Sequence, residues 1–473
     1  MVNTQLASAL GLSLPVFHYL VCFLSTIPVA FFHRFVPTVA GRHLYAFAGG
    51  AILTYLCFGN EVVYLYIPVV MAYLSMVLYR KKAGTITFFL TFAFLIYCHV
   101  TYMSGDSWKK GNIDFTGALM ILSLKVISAA VNYQDGMLPE SDLRPTQKKF
   151  RLTRLPTSLE FLGFIFSDAT LLAGPPFEMA DYLAYTERKR EWSLDKKSWP
   201  SPYKACGLAL VKTAVSMAIY QYLTPIAPIS YFASPDYANS SFLKRLWFQY
   251  LVGLVTRWKY YFIWSISECA LILSGQGFSG YDEQKRATWT MAKNADILKV
   301  ELAESAVTLP HYWNIQVGNW LRLYVYDRLT RKGRKAGFQE LLATQATSAI
   351  WHGLYPGYMC FFVNSAIMIS GSRILHKYFL AVKAAVPSAW PVTYFLHWFY
   401  SALANNYACS GFVLLSFRDT IAAYRSVYFI GTVVPIIVVL LGKAFPPPRT
   451  RSKDTAPTKV KEEAAETAPK KEL

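Results

Sequence analysis

Charged residues are scarce in this chain. Only 16% of its 473 residues are Asp, Glu, Lys or Arg, and 54% are hydrophobic, whereas a soluble protein carries about a quarter charged residues. Acidic residues are rarer than basic ones, 28 against 47, so the net charge is +19. The basic residues cluster in short loops between apolar runs, as topology signals of membrane proteins do. The chain is therefore predicted to be a polytopic membrane protein that binds no nucleic acid.

Several motifs of soluble enzymes are also absent. The seven cysteines are scattered without a C-x-x-C pair, which predicts small core residues and no metal site. No Walker loop, H-E-x-x-H or G-x-S-x-G motif occurs. The segment 275–280 matches G-x-G-x-x-G but follows an apolar run and not a strand, which argues against dinucleotide binding. We expect no bound metal and no bound cofactor.

Apolar runs long enough to cross a bilayer recur along the chain, where a crossing needs about 20 residues. They lie near 14–32, 44–59, 61–79, 85–103, 115–131, 205–228, 242–273, 340–362, 364–386, 390–416 and 424–442. The predicted fold is an all-α, polytopic membrane helix bundle of about eleven transmembrane helices with a re-entrant segment over 159–173. Residues 1–445 are expected to form the membrane domain. Residues 446–473, rich in Pro, Lys, Glu and Ala, are expected to be a disordered tail.

Loop charge predicts the orientation in the membrane. Basic residues follow the first, third and fifth runs, which favours a luminal N-terminus. The sequon that starts at Asn239 then falls in the lumen, where glycosylation takes place. The chain ends with Lys470 and Lys471 before its last two residues, which resembles the cytosolic dilysine signal of endoplasmic-reticulum membrane proteins. The endoplasmic reticulum is therefore the predicted location, with a cytosolic C-terminus.

His352 is the first candidate functional residue. It lies between apolar segments, and an ionisable side chain at membrane depth marks a function by default. Pro356 cannot donate to the carbonyl of residue 352, so the helix is predicted to break after the histidine. Counted from a cytosolic start near Glu340, the histidine lies about 18 Å deep. We expect it to act as a general base; a structural hydrogen bond to a neighbouring helix is the alternative.

Asn314 is the second candidate. On a helix it would share a mostly apolar face with Gly318, Leu321 and Val325. An amide in that position can hold a histidine tautomer or stabilise an oxyanion. Its alternative role is to cap or pack the helix that begins just after Pro310.

A basic cluster follows this helix and consists of Arg328, Arg331, Lys332, Arg334 and Lys335. It is either a solvated cytosolic loop or a surface that attracts a phosphate-rich cosubstrate to the cytosolic mouth of the site. Arg322 and Lys293 are less certain members of the same group. A buried imidazole near an amide can remove the proton of a lipid alcohol, while an activated acyl donor enters from the cytosol. No serine or cysteine has a convincing partner, so direct transfer is favoured over an acyl-enzyme.

Two segments resemble the signatures of the membrane-bound O-acyltransferase family. One runs from Trp351-His352-Gly353 to Pro356-Gly357-Tyr358, and the other spans 313–326 from Trp313-Asn314. Segments that begin at Leu155, Leu171 and Tyr260 resemble its lysophospholipid branch. The likeness covers about residues 10 to 442 and is nearest to plant-type lysophosphatidylcholine acyltransferases.

The resemblance implies that His352 is the catalytic histidine and Asn314 its partner. It implies transfer of an acyl group from acyl-CoA to the sn-2 hydroxyl of a lysophospholipid, inside a helix bundle with a central tunnel. The segment 289–296 differs from a Trp-Asp-Arg-like run that is common in the family. Lys293 lies in this segment, so the resemblance does not establish it as a CoA contact. Acylation of diacylglycerol, a sterol or a protein is the alternative, and a proton-coupled transporter is less favoured. A homo-oligomer is compatible with the sequence but not specified by it.

Overall fold

The computed structural model describes residues 2–9, 13–102, 114–167, 169–193, 199–330 and 337–447. These residues contain no β-strand, only one isolated antiparallel bridge between Tyr281 and Ala287. The α-helices in this part of the chain are α1 Val2–Ala9, α2 Leu14–His33, α3 Val39–Phe58, α4 Val63–Leu78, α5 Ala83–Tyr102, α6 Thr116–Asp135, α7 Pro145–Phe150, α8 Ser158–Ile165, α9 Met179–Thr186, α10 Tyr203–Leu223, α11 Pro235–Ala238, α12 Phe242–Ser274, α13 Ile297–Glu301, α14 Ile315–Leu321, α15 Asp327–Leu329, α16 Phe338–His352, α17 Pro356–Ala385, α18 Trp390–Leu414, α19 Phe417–Ser426 and α20 Ile430–Ala444. The predicted all-α fold class is confirmed.

Several of these helices are long and apolar enough to cross a membrane. Within the described ranges six segments qualify, or seven if the bent pair α19 and α20 forms one span. They are Leu14–His33, Val39–Leu78, Arg80–Tyr102, Thr116–Asp135, Tyr203–Leu223 and Pro356–Ala385. The multi-pass character of the chain is confirmed, but the number of eleven crossings is not.

One long predicted run matches its helix closely, and another does not. The run over 242–273 is one continuous helix, α12, of 33 residues. The run over 340–362 is divided, because α16 has only 15 residues and ends at His352. A helix of that length falls short of the roughly 20 residues that a crossing requires. The region predicted to be re-entrant contains the 8-residue α8, which is also too short to cross.

Helix α6 lies at the centre of the bundle. In the most apolar 18-residue stretch of α6, 83% of the residues are buried, whereas only 22% are buried in the corresponding stretches of α2 and α10. Helix α6 is therefore enclosed by other helices, and α2 and α10 face outward. The side chains of Leu119, Leu122 and Val126 on α6 are completely buried. Outer helices expose large apolar side chains such as Leu56 and Val211, which is expected where the surrounding solvent is lipid.

A charged side chain is buried in this central helix. The Nζ of Lys125 donates to the carbonyl oxygen of Ile165 at 3.0 Å and to Oγ1 of Thr170 at 3.2 Å. It also lies 4.9 Å from the ring centroid of Phe164. Because a buried charge without partners costs several kcal/mol, these contacts tie α8 and the residues after it to α6.

A buried ion pair holds the segment that follows α12. Arg257 of α12 donates from two nitrogens to the carboxylate of Glu301, at 2.7 and 2.8 Å, and to Oδ1 of Asn406 at 2.6 Å. The hydroxyl of Tyr261 donates to the same carboxylate at 2.8 Å. Bidentate, charge-assisted hydrogen bonds fix the relative orientation of the two side chains as well as the distance between them. The pair thus joins α12, α13 and α18 around the chain segment that leads to Asn314.

Candidate active site

A large cavity of about 1930 Å³ lies inside the bundle, where the sequence predicts a central tunnel. Its wall includes both His352 and Asn314, which are 38 residues apart in the sequence (352 − 314) and belong to different segments. Aromatic and aliphatic side chains form much of the rest of the wall. The polar side chains among them include Asn294 and Lys259.

A sharp turn of the chain presents His352 to this cavity. Helix α16 ends at His352, and Gly353 follows with φ +130°, which L side chains rarely adopt. Helix α17 begins at Pro356, in the first helical turn where proline is tolerated. The N–H of Gly357 donates to the carbonyl oxygen of Leu415 at 2.7 Å. The predicted break after the histidine is confirmed, and the end of α18 holds the start of α17 in place.

Aromatic rings fix the imidazole of His352 on several sides. Phe362 stacks on it with centroids 5.3 Å apart, and Phe412 contacts it edge-on at the same distance. Trp351 and Tyr358 lie at 4.7 and 5.7 Å. Rings of this kind restrict the rotation of the imidazole and favour its neutral form, since a charged ring loses hydration among apolar neighbours.

The residue before the histidine is anchored by two other helices. Nε2 of His99, in α5, lies 3.1 Å from the carbonyl oxygen of Trp351. The indole N–H of Trp351 donates to the carbonyl oxygen of Met120, in α6, at 2.8 Å. The end of α16 is therefore bonded to the core of the bundle.

Asn314 precedes α14 instead of lying on it. Its backbone has φ +47° and ψ +51°, the left-handed conformation that asparagine tolerates better than most residues. The prediction that Asn314 shares a helix face with Gly318, Leu321 and Val325 is therefore wrong, because the helix begins one residue later. The side chain makes no capping hydrogen bond to α14.

A second asparagine orients this amide. Nδ2 of Asn294 donates to Oδ1 of Asn314 at 3.1 Å, and Oδ1 of Asn294 accepts from the N–H of Gln316 at 3.0 Å. The N–H of Ile315 donates to the carbonyl oxygen of Asn294 at 2.9 Å. Because the Oδ1 atom of Asn314 accepts this bond, its Nδ2 is available as a donor elsewhere. Sequence reasoning missed Asn294, since the two asparagines are 20 residues apart and no helical spacing relates them.

Lys293 and Arg322 are not part of the cavity wall formed by residues that the structure describes. The Nζ of Lys293 pairs with the carboxylate of Asp296 at 2.7 Å. Arg322 is exposed and begins a π-helical turn over Arg322–Tyr326. Their contact with acyl-CoA stays a prediction. Much of the basic cluster after them, 331–336, lies outside the described residues.

The fold and this cavity define a polytopic membrane protein with a histidine and an oriented amide in an internal chamber. The model of the membrane-bound O-acyltransferase family, MBOAT, matches residues 100–414. The chain belongs to this family, and the prediction of an acyltransferase is confirmed.

Relatives in plants and animals match almost the whole chain. Lysophospholipid acyltransferase 1 of Arabidopsis thaliana is 50% identical over 454 residues, which cover 95% of this chain and 98% of the relative. Lysophospholipid acyltransferase 2 of the same organism is 49% identical over 458 residues, with the same shares. Membrane-bound glycerophospholipid O-acyltransferase 1 of Homo sapiens is 29% identical over 462 residues, or 92% and 90% of the two chains.

Proposed function

We propose that the protein is an acyl-CoA-dependent lysophospholipid acyltransferase, with lysophosphatidylcholine as the favoured acceptor and other lysophospholipids also accepted. The observation that carries this proposal is that the wall of one large cavity includes both His352 and Asn314. The choice of a lysophospholipid as the acceptor is supported by the relatives named lysophospholipid acyltransferase, to which the chain is similar along nearly their full length.

The proposed reaction is one direct acyl transfer. The neutral imidazole of His352 accepts the proton of the sn-2 hydroxyl, and the oxygen attacks the thioester carbonyl of acyl-CoA. The amide N–H of Asn314 donates to the oxyanion of the tetrahedral intermediate. The carbon–sulfur bond then breaks, an ester bond remains, and the CoA thiolate takes the proton from the imidazolium. The proton and the acyl group are balanced without a covalent enzyme intermediate and without a bound cofactor.

The two substrates are proposed to enter from different directions. The acyl end of the donor reaches His352 from the cytosolic start of α16, a distance of about 21 Å along the helix. The polar part of CoA stays at that mouth, where Arg322 and Lys293 are its proposed contacts. The acceptor is a membrane lipid and enters from the bilayer.

The proposed location is the endoplasmic-reticulum membrane, with a luminal N-terminus and a cytosolic C-terminus. Loop charge and the sequon at Asn239 support this orientation. Lys470 and Lys471 support retrieval, and they lie outside the described residues. We further propose that 1–445 is one membrane domain. Of the tail predicted over 446–473, all but residues 446 and 447 lie outside the described residues.

The experiment that tests the function is CoA release by the purified protein. The protein is supplied with an unsaturated acyl-CoA and either lysophosphatidylcholine, diacylglycerol or a sterol, and free thiol is measured. We expect release with the lysolipid only. The His352→Ala variant should lose this activity while it keeps the same yield and thermal stability, because the change removes a base at a cavity wall.

Other results would redirect the proposal. Release with diacylglycerol or a sterol instead would move the acceptor to a neutral lipid. Release with none of the three would favour a protein acceptor or transport. Undiminished release by a well-folded His352→Ala variant would contradict the role of this residue as the base.

A further inference from the structure

The cavity wall contains a lysine that the mechanism above does not use. Lys259 lies in the middle of α12, the 33-residue helix Phe242–Ser274. It follows Phe242 by 17 residues (259 − 242), so it lies about 26 Å along the helix axis from that end. A cation at that depth is costly in a membrane protein and by default indicates a function.

Lys259 belongs to the same part of the chamber as Asn314. The ring of Tyr260, the next residue, lies 5.8 Å from that of Trp313, and the ring of Trp264 lies 4.8 Å from it. Trp313 immediately precedes Asn314, and Tyr260 and Trp264 also line the cavity. The turn of α12 that carries the lysine thus contacts the segment that presents the proposed oxyanion donor, through the neighbouring residues Tyr260 and Trp264.

Two buried cations elsewhere in the bundle, Lys125 and Arg257, stabilise the fold and are not part of the described cavity wall. Lys125 bonds Ile165 and Thr170, and Arg257 pairs with Glu301. The remaining cations of the cavity wall, as far as the chain is described, are Arg245, Arg418 and Arg425. Arg245 precedes Lys259 by 14 residues on one helix, a separation of about 21 Å.

The proposed acceptor brings an anion to this depth. In a lysophospholipid the phosphate ester is on the glycerol carbon next to the one that carries the free sn-2 hydroxyl. A hydroxyl held at His352 therefore brings a phosphate into the same part of the chamber. The phosphates of CoA lie far from the reacting thioester, at the end of the pantetheine arm. Because an unpaired anion is costly in a membrane interior, the acceptor phosphate requires a cation there.

We infer that Lys259 binds the phosphate of the lysophospholipid acceptor and holds its sn-2 hydroxyl at His352. This inference rests on the proposed function and deepens it, because it assigns the one anionic group common to all lysophospholipids to a named side chain. Lys259 is a binding residue in this scheme, and it selects phosphate-bearing acceptors over neutral lipids of similar size.

The test uses the full-length protein with Lys259→Met, which keeps the length of the side chain and removes its charge, and Lys259→Arg, which keeps the charge. Lys204→Met is the matched control, since Lys204 is exposed at the start of α10. Initial rates give KM for lysophosphatidylcholine and for acyl-CoA separately. A non-reactive acceptor, the 2-deoxy analogue of lysophosphatidylcholine, gives binding without turnover.

We expect Lys259→Met to raise the acceptor KM and the Kd of the analogue by about 10- to 100-fold, as for loss of a charged hydrogen bond. The acyl-CoA KM should stay within about twofold, Lys259→Arg should restore much of the affinity, and Lys204→Met should match the native protein. Thermal unfolding of the variants checks that they are folded.

Two outcomes would overturn the inference. A lower kcat with unchanged acceptor KM and unchanged analogue Kd would place the charge on the oxyanion instead of the phosphate. Equal loss of acceptor and acyl-CoA affinity would make the lysine a structural residue. A native protein that binds the analogue through Lys259 but releases no CoA would refute the proposed function alone, because analogue binding does not depend on turnover.

Discussion

At the scale of single residues, the side chain of Asn314 is oriented by its neighbour Asn294. Asn314 has a left-handed backbone conformation and lies just before a helix, so the helix does not fix the direction of its side-chain amide. The amide therefore needs a hydrogen-bond partner from another part of the chain. Asn294 supplies that partner and is itself held by the N–H of Gln316. The amide proposed as the oxyanion donor is therefore part of a small, partly buried network whose members act together.

A matched set of asparagine variants tests this network. Asn314→Ala should lower kcat by about 10²-fold, as for loss of an oxyanion donor. Asn294→Asp keeps an acceptor for the N–H of Gln316 but loses the donor to Asn314, so we expect kcat to fall by about 10-fold with both KM values little changed. The control is Asn60→Asp, at an exposed position. Native turnover in Asn294→Asp would show that Asn314 is oriented in some other way.

At the scale of elements, the position of His352 in the candidate active site depends on the junction between α16 and α17. A Cβ on Gly357 would lie 2.8 Å from the Cα of Leu415 and would also collide with the carbonyl oxygen of Gly411. Only glycine allows the start of α17 to approach the end of α18 this closely. The two helices together determine where the chain reverses after His352.

Gly357→Ala should therefore separate α17 from α18 and displace His352. We expect a loss of about 1–3 kcal/mol in stability, seen as a lower unfolding temperature, together with loss of most activity. The matched control is Gly207→Ala, where a Cβ on α10 would meet nothing within 4 Å. This control should be as stable as the native protein or slightly more so, because alanine favours helix. A native unfolding temperature in Gly357→Ala would contradict the close packing of this junction.

The elements also show which sequence signals are reliable. Apolar length predicted α2, α5 and α12 within a few residues, because a helix in lipid must satisfy its own backbone. The same signal wrongly joined α16 to the start of α17, where the break indicated by Pro356 is the feature that the structure follows. His352 and Asn314 were selected from the sequence as candidates, and both line the cavity. Asn294 was not, because a loop-mediated contact leaves no periodic pattern.

At the scale of the whole molecule, the proposed orientation gives every loop a side of the membrane. Lys81, between α4 and α5, and Asn239, between α11 and α12, are both exposed. They belong to loops that the topology assigns to the cytosol and the lumen, respectively. Their accessibility to a water-soluble reagent is therefore a direct readout of orientation.

Single cysteines at these two positions test the orientation in sealed microsomes, whose outer face is cytosolic, with the native cysteines replaced. Lys81→Cys should react with a membrane-impermeant maleimide in intact vesicles. Asn239→Cys should react only after detergent opens them, and the cysteine-free protein should not react at all. The reverse pattern would invert the topology, and with it the proposed cytosolic entry of acyl-CoA.

The buried lysine of α6 has a consequence for how the protein is made. Lys125 is followed by its partners Ile165 and Thr170 only 40 and 45 residues later. When Lys125 leaves the ribosome, neither partner has yet emerged from it, so the nascent helix meets the translocon with an uncompensated charge. Its stable integration then waits for α8 and the residues after it. Early truncations should therefore leave α6 poorly inserted, and biogenesis at this stage depends on a segment that does not itself cross the bilayer.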